Sequence, residues 1–337
     1  MKKIIISRTD SIGDVILTLP VCGVLKEHFP DAEIYFLGKS YTSDIARNCK
    51  HINEFINYDE ILMLSEQEQI DFLKRYKADA IIHVFPVKHI AQLAKKAGIP
   101  LRIGASGRIY HYLTCNRIIR MSRRRSDLHE SQLNLKLLSG LGLNIFLQTE
   151  EISAYYGWKS AQNLREDIAS LLDPQRFNII LHPQSKGSAR EWGIHNFARF
   201  AQLLPENEFK IFVTGTADEG KQIKELFELC PTIINLTGKL SLSELISFIS
   251  RSNGLIAAST GPLHMAAASG IIAIGIYPPI KPMHPGRWKP IGKQAVALVK
   301  DKNCDDCRNQ NSCHCMEEIS PEYVLKTLNE LRYARNK

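Results

Sequence analysis

Short apolar runs alternate with stretches of helical period along almost the entire chain, and no other property narrows its fold so far. Residues 4–7 read as a strand, 13–29 as a helix and 33–37 as a strand. A helix holding residues 73–76 leads to a short strand at 80–84, and 133–141 reads as an amphipathic helix. A polar, helix-prone stretch at 160–172 precedes a fresh start with a strand at 177–181. The pattern then resumes as helix 195–204, strand 210–214, helix 219–229, strand 233–236, helix 243–250, strand 255–258 and an apolar run at 271–277. Alternation of this kind predicts parallel sheets with helices on both faces. At 337 residues the chain is long for one core and comfortable for two. Each half opens with a strand that runs into a polar, glycine-containing turn, so the expected fold is α/β with two Rossmann-like domains. Ligands of open α/β sheets bind at the carboxyl ends of strands, which puts the expected site in a cleft between the two domains.

Hydrophobic residues at 44% and charged residues at 23% are those of a soluble globular chain, and no apolar run approaches the length of a membrane span. The apolar run after Lys3 is only three residues long, too short for an export signal, so a cytoplasmic location is expected. Net charge is +8, with a local excess at Arg117, Arg120, Arg123, Arg124 and Arg125. Such a patch suits nucleic acid, an anionic membrane face or a phosphorylated substrate, while a solvated basic loop is the plainer reading. No zinc-finger spacing, aromatic RNA-binding signature or recognition helix accompanies it, which argues against nucleic acid. Four of the eight cysteines, Cys304, Cys307, Cys313 and Cys315, cluster as C-x2-C-x5-C-x-C. The spacing suits tetrahedral zinc or disulfides. A cytoplasmic chain disfavours disulfides. The last two ligands are tighter than is usual for structural zinc, so reduced, partly buried thiols are preferred.

Four strand-end turns carry the polar residues. In Ser259-Thr260-Gly261-Pro262-Leu263-His264 a glycine turn opens a small-residue helix, where unpaired backbone N–H groups and the helix dipole make an anion site. His264 adds a donor that can carry charge near neutral pH. The turn from Ser7 to Val15 places Asp14 in the first turn of a helix, where an acid is either an ordinary N-terminal residue or an ionised general base. Asp10 is its rival in the same loop. The turn from His182 to Trp192 offers Ser185, Lys186 and Arg190, hydroxyl and cations suited to a diphosphate, without the spacing of a P-loop. The fourth, Thr214-Gly215-Thr216-Ala217-Asp218-Glu219, puts acids where a ribose is held or a helix is capped.

In order and spacing these pieces resemble glycosyltransferase family 9, the ADP-heptose:lipopolysaccharide heptosyltransferases, over nearly the whole chain. The resemblance runs through Asp10-Ser-Ile-Gly-Asp-Val with Thr18-Leu-Pro, His182-Pro with Arg190-Glu-Trp, Leu236-Thr-Gly-Lys-Leu-Ser-Leu, Ser259-Thr-Gly-Pro-Leu-His-Met-Ala-Ala-Ala and the terminal Cys-x2-Cys…Cys-x-Cys-Met. It implies the GT-B fold, with the acceptor held mainly by the first domain and the sugar nucleotide by the second, and no catalytic metal. Carried over by motif, Asp14 is the base. Ser185, Lys186 and Arg190 hold the diphosphate, Thr214 and Gly215 line the donor turn, and Glu219 meets the ribose. Leu240 offers its backbone to adenine, and Ser259, Thr260, Gly261 and His264 form the turn for phosphate and sugar. Many members have Asp where this chain has Ser259, a hydroxyl without charge.

The expected reaction is inverting transfer of a heptose from ADP-heptose to the lipopolysaccharide inner core. Arg8, Ser11, Arg120 and Arg123 are the expected acceptor contacts, since lipid A and its core carry anionic groups. Peripheral contact with the anionic inner leaflet is a further expectation. The expected domains are residues 1–160 for the acceptor, a linker at 161–176, 177–320 for the sugar nucleotide, and a C-terminal helix at 321–337 returning to the first domain. The alternatives are the same fold with another nucleotide sugar, or a non-catalytic sugar-nucleotide-binding protein. An NAD dehydrogenase is disfavoured because the first strand is not followed by G-x-G-x-x-G.

Overall fold

The computed structural model describes residues 1–159, 164–185, 187, 189–281, 283–300, 304, 306–308 and 313–335. The chain divides into two compact units, Met1–Lys159 and Ser160–Lys337. Strands of the first are β1 (Lys3–Ser7), β2 (Glu33–Gly38), β3 (Glu54–Asn57), β4 (Ala80–His83), β5 (Leu101–Ala105) and β6 (Arg117–Ile119). They form one parallel sheet in the order β3-β2-β1-β4-β5-β6. The second unit contains β7 (Phe177–His182), β8 (Phe209–Val213), β9 (Ile234–Asn235), β10 (Gly254–Ala258), β11 (Ile272–Ile276) and β12 (Ala295–Leu298). These are also parallel, in the order β12-β11-β10-β7-β8-β9. Counted from its own first strand, each sheet has the order 3-2-1-4-5-6, the doubly wound Rossmann arrangement.

The alternation therefore predicts the architecture, but four strands escape it: β3, β5, β6 and β12. Three of these are sheet edges, and two of them, β3 and β6, are half-exposed and mixed in polarity, so they lack the continuous apolar run of a strand covered on both faces. The central strands show that run plainly. Ile4, Ile5 and Ile6 of β1 are fully buried, each contributing about 1.5–3 kcal/mol of hydrophobic stabilisation.

Two helices read as continuous are broken. Residues 13–29 form Ile12–Ile16 and then Leu19–His28. Pro20 lacks an N–H and its ring crowds the carbonyl four residues back, so the chain restarts at Thr18. Thr18 in turn donates its hydroxyl to the Asp14 carbonyl at 2.8 Å. Residues 219–229 split into Ala217–Gln222 and Lys224–Leu229. Of the helix-prone stretch at 160–172, Glu166–Ala169 is helical, and residues 160–163 lie outside the described residues.

The C-terminal helix Pro321–Arg335 spends its apolar side on the second unit. Val324 and Leu328 join a core that includes Trp192, Phe197 and Phe200. In each sheet the strand order reverses beside its first strand. Register partners at those reversals are Ser7 with His83 and His182 with Ala257, so the carboxyl ends of β1 and β4, and of β7 and β10, lie side by side.

Candidate active site

In the first unit the β1 turn gathers a charged cluster around Arg8, which is only 2% exposed. Its Nε donates to Asp10 Oδ1 at 2.6 Å and Nη2 to Asp10 Oδ2 at 2.9 Å. Nη2 also donates to Asp14, and Nη1 reaches Glu130 Oε1 at 3.0 Å. Asp14 accepts a further bond from the Ser11 hydroxyl, so both of its oxygens are engaged within the loop. Glu130 and Asn134, four apart on the helix Glu130–Lys136, meet Arg123, which also donates to the Val84 carbonyl at 2.8 Å. Burial by itself would lower the Arg8 guanidinium's pKa, but Asp14, Asp10 and Glu130 outweigh it and hold it raised. Burial pushes Asp10 up to about 6. Arg8 opposes that shift and Asp14 adds to it.

Arg8 and Arg123, both expected as acceptor contacts, direct their guanidinium groups onto carboxylates and carbonyls; Arg8 is buried and Arg123 half-buried, and cations so covered need partners. Arg120 and Ser11 are exposed. Glu130 and Asn134 escaped sequence reading, although two polar residues at helical spacing beside buried Leu133 and Leu135 were the available signal. Asp14 keeps partial exposure, with 17% of its side chain accessible.

In the second unit three turns leave the adjacent strands β8, β7 and β10. The β7 turn divides its labour by residue. Trp192 is fully buried, donates from Nε1 to the Ile319 carbonyl at 2.8 Å and meets Phe197 edge-on. Glu191 accepts from the Ser185 N–H at 3.0 Å and hydroxyl at 3.1 Å, stapling the loop. Ser185 thus shapes the turn from within. Arg190 lies between these anchors, and its Nε is buried without a hydrogen-bond partner among the described residues. Lys186 lies outside the described residues.

The β8 turn is closed on itself. Thr216 caps the helix Ala217–Gln222 in a capping box with Glu219, whose Oε2 accepts from the Thr216 N–H at 2.7 Å and hydroxyl at 2.9 Å. A carboxylate already occupying that helix start repels a second anion and favours hydroxyl ligands. Thr214 is buried and bonds His182 Nδ1 at 2.9 Å. Gly215 accepts from the N–H of Gly238, whose φ of +71° turns the segment before Leu240 against Ala217. A cavity of about 840 Å³ opens here, lined by Gln184, Glu191, Thr216, Asp218, Glu219 and Gln222 among others.

The β10 turn is the opposite case. Thr260 is the N-cap of the helix Gly261–Ala268 but makes no side-chain cap, and its hydroxyl is buried without a partner among the described residues. A buried hydroxyl without a partner costs about 1–3 kcal/mol. Beside it, the N–H groups of Gly261 and Leu263 have no acceptor among the described residues. His264, one turn on, is 3% exposed. The Tyr277 hydroxyl donates to the Trp288 carbonyl at 2.6 Å, and burial holds it well above the usual phenol range, with Ser259 opposing that shift. Cys307 and Cys313 are buried in the second core, and Cys304 and Cys315 are half-exposed. Among the described residues no group of three His, Cys, Asp or Glu is arranged to hold a metal ion.

Two Rossmann-order units, each with its polar turns at the strand-order reversal, are the components of a GT-B fold. The sequence model for glycosyltransferase family 9 (heptosyltransferase) matches residues 70–316, and the chain belongs to that family. It is 27% identical over 312 residues to a "putative glycosyltransferase" of Haemophilus influenzae, covering 86% of each chain. It is 24% identical to the lipopolysaccharide core heptosyltransferase OpsX of the same organism, covering 82% of this chain and 79% of the other. Among solved structures, the ADP-heptose lipopolysaccharide heptosyltransferase II of Escherichia coli superimposes with a TM-score of 0.78 at 19% identity, each chain covered in full. The family match takes in the β7, β8 and β10 turns but begins after the Asp14 loop.

Proposed function

We propose that this protein transfers a heptose from ADP-heptose to the inner core of lipopolysaccharide, with inversion at the anomeric carbon. The names of its relatives support the sugar and acceptor class. The observation that carries the donor site is the contrast between neighbouring helix starts. Those at Thr216 and Ser241 are closed by their own capping boxes, and the one at Thr260 is open with a buried, unpartnered hydroxyl. An open helix start with a spare hydroxyl suits a diphosphate, and Arg190 on the neighbouring turn adds charge. Glu219 and the β8 turn suit the ribose, and the Leu240 segment the base.

In the transfer step Asp14 takes the proton of the acceptor hydroxyl as its oxygen attacks the anomeric carbon. The bond to the donor diphosphate breaks, and ADP departs with the electron pair. Arg190, His264 and the helix start stabilise the growing charge, because preorganised donors cost no rearrangement when the charge appears. One displacement inverts the carbon. Turnover of ADP-heptose with a core acceptor tests this reading, and absence of transfer in folded, ADP-binding protein refutes it.

Ser259 favours a second reading, the same reaction with a different nucleotide sugar. Thermal-shift titration with ADP-, UDP- and GDP-sugars separates the two.

A further inference from the structure

The edge of the first sheet has a surface that glycosyl transfer does not explain. Helix Ile109–Thr114 joins β5 to the edge strand β6, and along it Ile109 is 85% exposed, Leu113 72% and Tyr112 60%. Three large apolar side chains on one short helix are a contiguous patch, not the scattered apolar exposure of ordinary surfaces. Its underside is committed: His111 is fully buried, with Nδ1 against the Ala105 carbonyl at 2.9 Å, and Thr114 donates to the Tyr110 carbonyl. The outward face is therefore held rigidly.

The charge around this patch is one-signed. Between Asp79 and Asp127 the chain has no acidic residue and ten Lys and Arg, more than the whole protein's net charge of +8. Arg108 caps the helix, Arg117 begins β6 and Arg120 follows it. Arg124 and Arg125 continue over the carboxyl ends of the strands, and all five are exposed. None of the five pairs with a carboxylate among the described residues. Lys96 on the neighbouring helix is spent on Glu66. Apolar side chains ringed by unpaired arginines fit a surface that offers both anionic headgroups and acyl chains.

We propose that this edge docks on an anionic lipid bilayer, with Ile109, Tyr112 and Leu113 entering the headgroup–acyl boundary and the arginines meeting lipid phosphates. Charge draws the protein in, and the apolar wedge supplies the part of the affinity that salt does not screen. Through Arg123, which shares Glu130 with Arg8, the basic loop runs directly into the Asp14 cluster. A lipid-anchored acceptor thus meets the site without leaving the membrane. The surface rests on the first unit alone, and saccharide-free vesicles separate it from the transfer reading.

The test is vesicle flotation of the intact protein with pure phosphatidylcholine and with a phosphatidylglycerol mixture, at low and high salt. Wild type floats only with the anionic vesicles, more weakly in salt. Ile109→Ser with Leu113→Ser loses affinity by about tenfold or more with an unchanged melting temperature and unchanged transfer to a deacylated, soluble acceptor. A Tyr112→Trp variant gains quenching by brominated acyl chains beyond that of the parent. Failure of wild type to float on anionic vesicles overturns the proposal. So does flotation of the double variant at wild-type affinity, which makes the attraction purely electrostatic.

Discussion

Asp14 is held in place by Ser11 and by an arginine that is itself divided between three carboxylates. Asp14 therefore shares the Arg8 guanidinium with Asp10 and Glu130. Replacing Asp14 with Asn is expected to lower kcat by about a hundredfold or more, with the melting temperature and ADP affinity retained. Full activity would remove Asp14 from the base role. Asp10 competes with Asp14 for that guanidinium. Its carboxyl titrates at about 6, and when it takes a proton Arg8 turns its charge more fully on Asp14. The expected kcat/KM therefore declines below about pH 6, and in Asp10→Asn the limb disappears from that range. A limb that persists at pH 6 in the variant points to another group. Sequence reading placed Asp10 and Asp14 as rivals. It had no means of seeing that Glu130 and Asn134 also draw on Arg8, since they reach it from 122 and 126 residues away.

At the scale of elements, three helix starts in the second unit share the Ser/Thr N-cap signature and do different things. Thr216 and Ser241 are followed three residues later by Glu219 and Glu244, which complete their capping boxes. Thr260 is followed by Pro262 and Leu263 and has no such partner. That difference is legible in the sequence, because S/T-x-x-E is itself the capping signal. Paired variants test it. Thr216→Val is expected to destabilise the protein by about 1 kcal/mol through the lost cap. Thr260→Val removes a buried hydroxyl without a partner, so the unliganded protein is expected to melt higher while ADP binds more weakly. A Thr260→Val protein that melts lower and binds ADP unchanged would make that hydroxyl structural. In the Arg190-Glu191-Trp192 motif, sequence reading gave only Arg190 a task. Tertiary packing makes Glu191 a staple and Trp192 an anchor, because Glu191 accepts from Ser185 and Trp192 finds Phe197 and the Ile319 carbonyl in the core.

For the whole molecule, stability against pH has two opposed contributions. His83, at the carboxyl end of β4, is held down to about 3 by burial, then by His111 and Arg102. Gly104 leaves the space that lets the His111 ring pack there. A folded pKa below the ordinary 6.5 means that the unfolded chain binds the proton more tightly. Stability is then complete above about pH 6.5 and lost as pH falls toward 3, by up to about 1.4 kcal/mol per pH unit. Asp10 runs the other way. Its folded pKa of about 6 exceeds the ordinary 3.8, so its term is favourable in acid and is lost as pH rises through that window. Denaturation of His83→Gln between pH 4 and 6 should show the loss in acid flattened. An unchanged slope would mean that His83 does not titrate as a buried neutral ring. By itself the sequence determined the parallel two-unit architecture and the residue types at each strand-end turn, because burial on both faces and turn chemistry are local requirements written in order along the chain. The capping boxes that close two helix starts are local and legible as well. Only the tertiary structure decided which side chains are consumed by neighbours, because the partners that split an arginine or bury a histidine arrive from distant segments, and their charge and burial set the chemistry of the residues they meet.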